Sequence, residues 1–98
     1  MRNPEVLHEV KTTLALLAQK SPGKAIEVRI PPYAAIQCGE GPKHTRGTPA
    51  NVIEMDAQTW LSLAYGEQSW AEALDAGSIN ASGVRADLSD LLPLGSRV

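Results

Sequence analysis

Residues 37 to 51 read Gln-Cys-Gly-Glu-Gly-Pro-Lys-His-Thr-Arg-Gly-Thr-Pro-Ala-Asn and hold most of the reactive side-chain types of this chain. Cys38 is its only cysteine and His44 one of its two histidines, with Glu40, Lys43 and Arg46 close by. Three chemistries are open to those types. A thiol and an imidazole within hydrogen-bond reach would make a nucleophile and its base, a small enzyme built on Cys38 and His44. Cys38, Glu40 and His44 are metal-ligand types, but no Cys-x-x-Cys or His-x-x-x-His spacing backs them, so neither a metal site nor a cofactor is expected. Lys43, His44 and Arg46 stand among glycines, whose backbone turns sharply and can aim N–H groups at an anion such as a phosphate or carboxylate. A plainer reading stands beside each. Cys38 is in phase with Ala34 and Ile36, as a small buried hydrophobe on a strand would be. Arg46 or Arg29 could equally pair with Glu40, Glu27 or Glu54 and make the loop a rigid polar cap. An anion-binding rim of Glu40, Lys43, His44 and Arg46 and a structural cap are thus both open, and no residue is assigned as catalytic.

The elements around this loop follow from period and punctuation. Asn3-Pro4-Glu5 is a helix start, with an N-cap side chain, proline at the first helical position and an acid near the positive dipole end. Val6, Val10, Leu14 and Leu17 continue at helical spacing until Ser21-Pro22-Gly23. Ile26, Val28 and Ile30 then alternate with Glu27 and Arg29, the pattern of a strand with one buried face. Pro31-Pro32-Tyr33 turns the chain into a second strand, Ala34 to Cys38, and a third runs from Asn51 to Met55. Asp56 caps a helix carrying Ala57, Trp60, Leu61 and Ala64, which ends at Gly66. Ser69-Trp70-Ala71-Glu72 is a capping box and opens a short helix that stops at Gly77. Ser78 to Ser82 is a brief strand around Ile79, and Leu88, Leu91 and Leu92 predict a last helical turn or two before Pro93. His8 lies off the apolar stripe of its helix, and Arg85, Asp87 and Asp90 read as a solvated face. The order α-β-β-β-α-α-β-α predicts an α+β fold in which helices cover one face of a small mixed sheet of four to five strands.

Composition narrows the function classes. Ninety-eight residues make one domain, 1–98, that buries only roughly 60–65% of the surface its unfolded chain exposes. A net charge of −2 lacks the cationic surplus that nucleic-acid binding requires. One cysteine cannot form an intrachain disulfide, and no apolar run approaches the roughly 18 residues of a membrane span. No apolar N-terminal run resembles a signal peptide, so a cytoplasmic location is expected.

Five segments carry a family pattern: Val52-Ile53-Glu54-Met55-Asp56, Trp60 to Gly66, Trp70 to Leu74, Gly77-Ser78-Ile79-Asn80-Ala81-Ser82-Gly83, and Asp87 to Leu92. Together they resemble the sterol-carrier-protein (SCP2) domain. The runs Ile30 to Pro42 and His44 to Pro49 look like the signature of its small bacterial orthologues. The likeness covers about residues 24 to 94, preceded by the helix at about 4–20. It implies a sheet with helices on one face and an apolar groove for fatty acyl chains, phospholipids or sterols. On that resemblance the expected function is a non-enzymatic carrier of a hydrophobic ligand, with Trp60, Leu63, Trp70, Leu74, Leu88, Leu91 and Leu92 lining the groove and the Gly/Pro-rich loop at its rim. Apolar residues at this spacing are also what an ordinary core requires, and in a small domain most of them serve it. The alternative is an accessory module that has lost the lipid tunnel and docks a partner protein or forms a homo-oligomer.

Overall fold

The computed structural model describes residues 3–41 and 51–95. Helix α1 (Pro4–Lys20) starts where Asn3 accepts hydrogen bonds from the Glu5 and Val6 N–H groups. It turns Val10, Thr13, Leu14 and Leu17 inward. Strands β1 (Ile26–Ile30) and β2 (Ala34–Cys38) form an antiparallel hairpin, closed by the Tyr33 N–H donating to the Ile30 carbonyl at 2.8 Å. Val28 pairs with Ile36 and Ile26 with Cys38, so the two apolar rows share one face. Strand β3 (Val52–Glu54) runs parallel to β1 and strand β4 (Asn80–Ser82) antiparallel to β3, giving the order β2-β1-β3-β4. This is the expected α+β architecture.

Helices α2 (Ala57–Ala64) and α3 (Trp70–Asp75) lie between β3 and β4 in the chain. Asp56 caps α2 through the Thr59 N–H, and Ser69 and Glu72 form the expected capping box on α3. Each such cap contributes about 1 kcal/mol. Val28, Ile30, Ile53, Leu14, Leu17 and Trp60 are fully buried, and each large aliphatic among them stabilises the fold by roughly 1.5–3 kcal/mol. α1 packs on β2 and on α2. At the second contact the buried Trp60 Nε1–H donates to Thr13 Oγ1 at 2.8 Å, while that hydroxyl donates to the Glu9 carbonyl at 2.7 Å. Among the described residues no buried side-chain N or O lacks a partner.

Two readings of the last third change. The segment at Leu88–Leu92 makes a single turn, the Leu91 N–H donating to the Leu88 carbonyl at 2.9 Å, instead of a closing helix. Only four residues lie between Leu88 and Pro93, and Lys20 Nζ donates to the Leu91 carbonyl at 2.8 Å. Arg85 and Asp87 are not on a helix face either. Asp87 accepts from the Ser89 N–H, and Arg85 Nη1 donates to the Glu40 carbonyl at 2.9 Å.

Candidate functional site

The connection from α2 to α3 and the C-terminal segment form a cleft. α2 ends at Tyr65, and Gly66 follows with φ 76°, a left-handed conformation that glycine adopts without a Cβ clash. The Glu67 N–H then folds back to the Ser62 carbonyl at 2.8 Å, so the chain reaches Ser69 and α3 in a tight loop. Across from it, the C-terminal segment is tied to the end of α2 by the Leu94 N–H donating to the Ala64 carbonyl at 2.8 Å. Between the loop and that segment lies a half-open cleft of about 490 Å³, within the ~300–1,000 Å³ range of ligand pockets. Leu63, Trp70, Leu92 and Pro93 give it apolar walls, and Gln68, Ser69, Glu72 and Ser89 line it with polar groups. Glu72 is held below the usual carboxylate range by hydrogen bonds from the Ser69 backbone and hydroxyl, so it is charged at neutral pH.

The structure divides the seven apolar residues named from the sequence. Leu63, Trp70 and Leu92 meet in the cleft. Trp60 and Leu88 are fully buried, and Leu91 is half-buried against the same core. Leu74 faces solvent at 44% exposure, because α3 buries only Trp70 and Ala73. Gly66, Ser69, Ser89 and Pro93 were not in the sequence-based set. Proline after a stretch of leucines reads as a helix stop, and nothing in the sequence says that Pro93 packs 3.3 Å from where a Cβ on Gly66 would sit.

Of the expected rim, Lys43, His44 and Arg46 lie outside the described residues. Glu40 is exposed, and its backbone carbonyl serves Arg85. The described start of that loop, Gly39 to Gly41, packs near Ala25, Ile26 and Arg85 and contributes nothing to the lining of the 490 Å³ cleft. Cys38 has no solvent exposure, and burial raises its thiol above the ordinary value, which disfavours the thiolate a nucleophile needs. Among the described residues no three His, Cys, Asp or Glu side chains are grouped to hold a metal ion, and no helix is long and apolar enough to cross a membrane.

A family model described as bacterial SCP ortholog matches residues 2–94. The chain belongs to this family of bacterial sterol-carrier-protein orthologues. No curated protein matches it. The match takes in α1 as well as the sheet and both later helices, so the helix that covers β2 is an integral part of the bacterial orthologue pattern. In this SCP orthologue the cleft between the α2–α3 loop and the C-terminal segment brings Leu63, Trp70, Leu92 and Pro93 to one opening.

Proposed function

We propose that this SCP orthologue is a non-enzymatic carrier that takes the apolar part of a lipid or acyl ligand into the cleft of Leu63, Trp70, Leu92 and Pro93. The observation that carries the reading is an apolar-walled cleft of about 490 Å³ in a member of a sterol-carrier family. Leu63 and Trp70 would form the floor, and Leu92 and Pro93 the opposite wall, which among the described residues is tied to the α2 end by two backbone hydrogen bonds. Gln68, Ser69 and Ser89 supply donors and acceptors for a polar head group at the mouth. Trp60 and Leu88 support this floor from within the core without touching the ligand.

Titration with cis-parinaric acid, a conjugated fatty acid that fluoresces in apolar surroundings and quenches tryptophan, tests it. Uptake with loss of Trp70 emission is expected. Leu92→Ser removes apolar contact from a half-buried position and should weaken uptake about tenfold, the equivalent of ~1.4 kcal/mol. No uptake by the natural chain, together with no lipid co-purifying in native mass spectrometry, sinks the proposal.

A further inference from the structure

We propose that the outer edge of β2 pairs with β2 of a second copy of this chain, forming an antiparallel two-fold dimer centred on Ile36. The inference is independent of the carrier reading. It begins from which way the backbone groups point. The Glu27 N–H donates to the Asn51 carbonyl at 2.9 Å, and the Met55 N–H to the Arg29 carbonyl at 3.2 Å, so Glu27 and Arg29 turn toward β3. Backbone groups alternate sides along a strand, which turns those of Ile26, Val28 and Ile30 toward Cys38, Ile36 and Ala34. Ala35 and Gln37 are left with N–H and C=O directed away from the sheet. Both residues are exposed, and no described residue bonds to those groups.

The open window has fixed ends. At one, the Gly39 N–H already donates to the Ser21 carbonyl at 2.7 Å. At the other, Pro31 and Pro32 have no N–H, and the Tyr33 N–H is turned into Ile30. Exposed edges are usually blunted by a charge, a proline or a bulge. Ala34–Cys38 contains no charge and no proline, and its register with β1 runs unbroken. The other edge, β4, is only three residues long.

An incoming strand must therefore be about five residues long and uncharged, with two donors and two acceptors spaced two residues apart. β2 itself meets that description. In antiparallel pairing about Ile36, Ala35 of each copy faces Gln37 of the other, and each pair exchanges two hydrogen bonds. A slip of two residues in either direction meets the Ser21–Gly39 bond or the prolines. Ile36, half-buried in the single chain, meets Ile36 of the second copy as a non-bonded pair, the arrangement that brings side chains closest, about 4.5 Å between Cα atoms. A contact of this size falls at the small end of specific interfaces, so association is weak, with Kd about 10 μM to 1 mM.

Sedimentation of the full chain over that concentration range tests it, with hydrogen exchange at both ends. Reversible dimerisation is expected, with the Ala35 and Gln37 amides protected only in the concentrated sample. Ala35→Pro deletes an N–H that bonds to no described residue and should weaken the dimer at least tenfold, leaving the melting temperature of dilute protein little changed. Should that variant not fold, Ala35→Lys with Gln37→Lys on the exposed face sets lysine opposite lysine twice and should abolish pairing. A natural chain that stays monomeric to about 1 mM overturns the proposal, as does a dimer that the folded proline or lysine variant leaves intact. So does capture of an unrelated strand peptide at this edge by a chain that does not self-associate.

Discussion

Cys38 shows how far one side chain's role can be read from its neighbours. Period-two alternation with Ala34 and Ile36 put it on the inner face of β2, and the structure finds it there with no exposure. That position has a consequence in alkali. Burial raises the folded thiol above its ordinary value of 9.0, whereas the unfolded chain ionises at that ordinary value. Between the two values the unfolded state has lost a proton that the folded state keeps, so stability falls as pH rises. The contribution is fully present below about pH 9 and is lost as pH climbs through the folded value. Urea unfolding between pH 7 and pH 10.5 should show the natural chain losing stability faster than Cys38→Ala above pH 9, with a constant offset below it. Parallel curves would refute this account of the thiol. The bond from Trp60 to Thr13, by contrast, was not legible. It joins residues 47 apart, and threonine in mid-helix gives no local sign that it will be an acceptor for a buried indole.

At the level of elements, whatever depends on local chemistry was legible and whatever depends on long-range closure was not. Asn3-Pro4, Asp56 and Ser69 with Glu72 mark helix starts because a cap acts within three residues. The four strands follow from alternation and turns, although β3 and β4 are each shorter than the runs that suggested them. The loop that looked richest in chemistry illustrates the other case. Asn51, its last residue, is 4% exposed and works as a clasp. Its Nδ2 donates to the Ala25 carbonyl at 2.9 Å, its Oδ1 accepts from the Arg85 N–H at 2.8 Å, and its own carbonyl starts the β1–β3 ladder. Beside it, a Cβ on Gly23 would collide with the Gly39 carbonyl, so the link from α1 to β1 fits against the end of β2 only as glycine. Asn51→Ala strips partners from the start of β1 and from the turn after β4 together. It should cost about 2 kcal/mol in denaturant unfolding, the desolvation penalty of an unpaired buried carbonyl with a smaller share from the more exposed Arg85 N–H. A loss under about 0.5 kcal/mol would mean that water or a rearranged backbone replaces the clasp.

For the whole molecule, the cleft lies between the α2–α3 loop and the C-terminal segment. The sheet and the three helices share one apolar core, and the C-terminal segment joins it through Leu88, Leu91, Leu92 and Leu94, with hydrogen bonds from the Leu94 and Gly95 N–H groups to the Ala64 carbonyl and from the Lys20 ammonium to the Leu91 carbonyl. Leu63 and Trp70 stand on one side of the cleft and Leu92 and Pro93 on the other, so an acyl ligand would bridge the two sides. A ligand that binds only the folded state stabilises it by RT ln(1 + [L]/Kd), about 2.7 kcal/mol at a hundredfold excess over Kd. In a domain of this size each kcal/mol moves the melting temperature by roughly 4–8 °C, so saturation should raise it by roughly 10–20 °C. Calorimetric melts with and without cis-parinaric acid measure this directly. The Leu92→Ser chain, at the same ligand concentration, should keep about half of the shift, because a tenfold weaker Kd removes ~1.3 of the ~2.7 kcal/mol of linkage. Probe fluorescence that rises with no movement of the melt would place the fatty acid on partly unfolded chain or on the outer surface, and the cleft would then not be the carrier site.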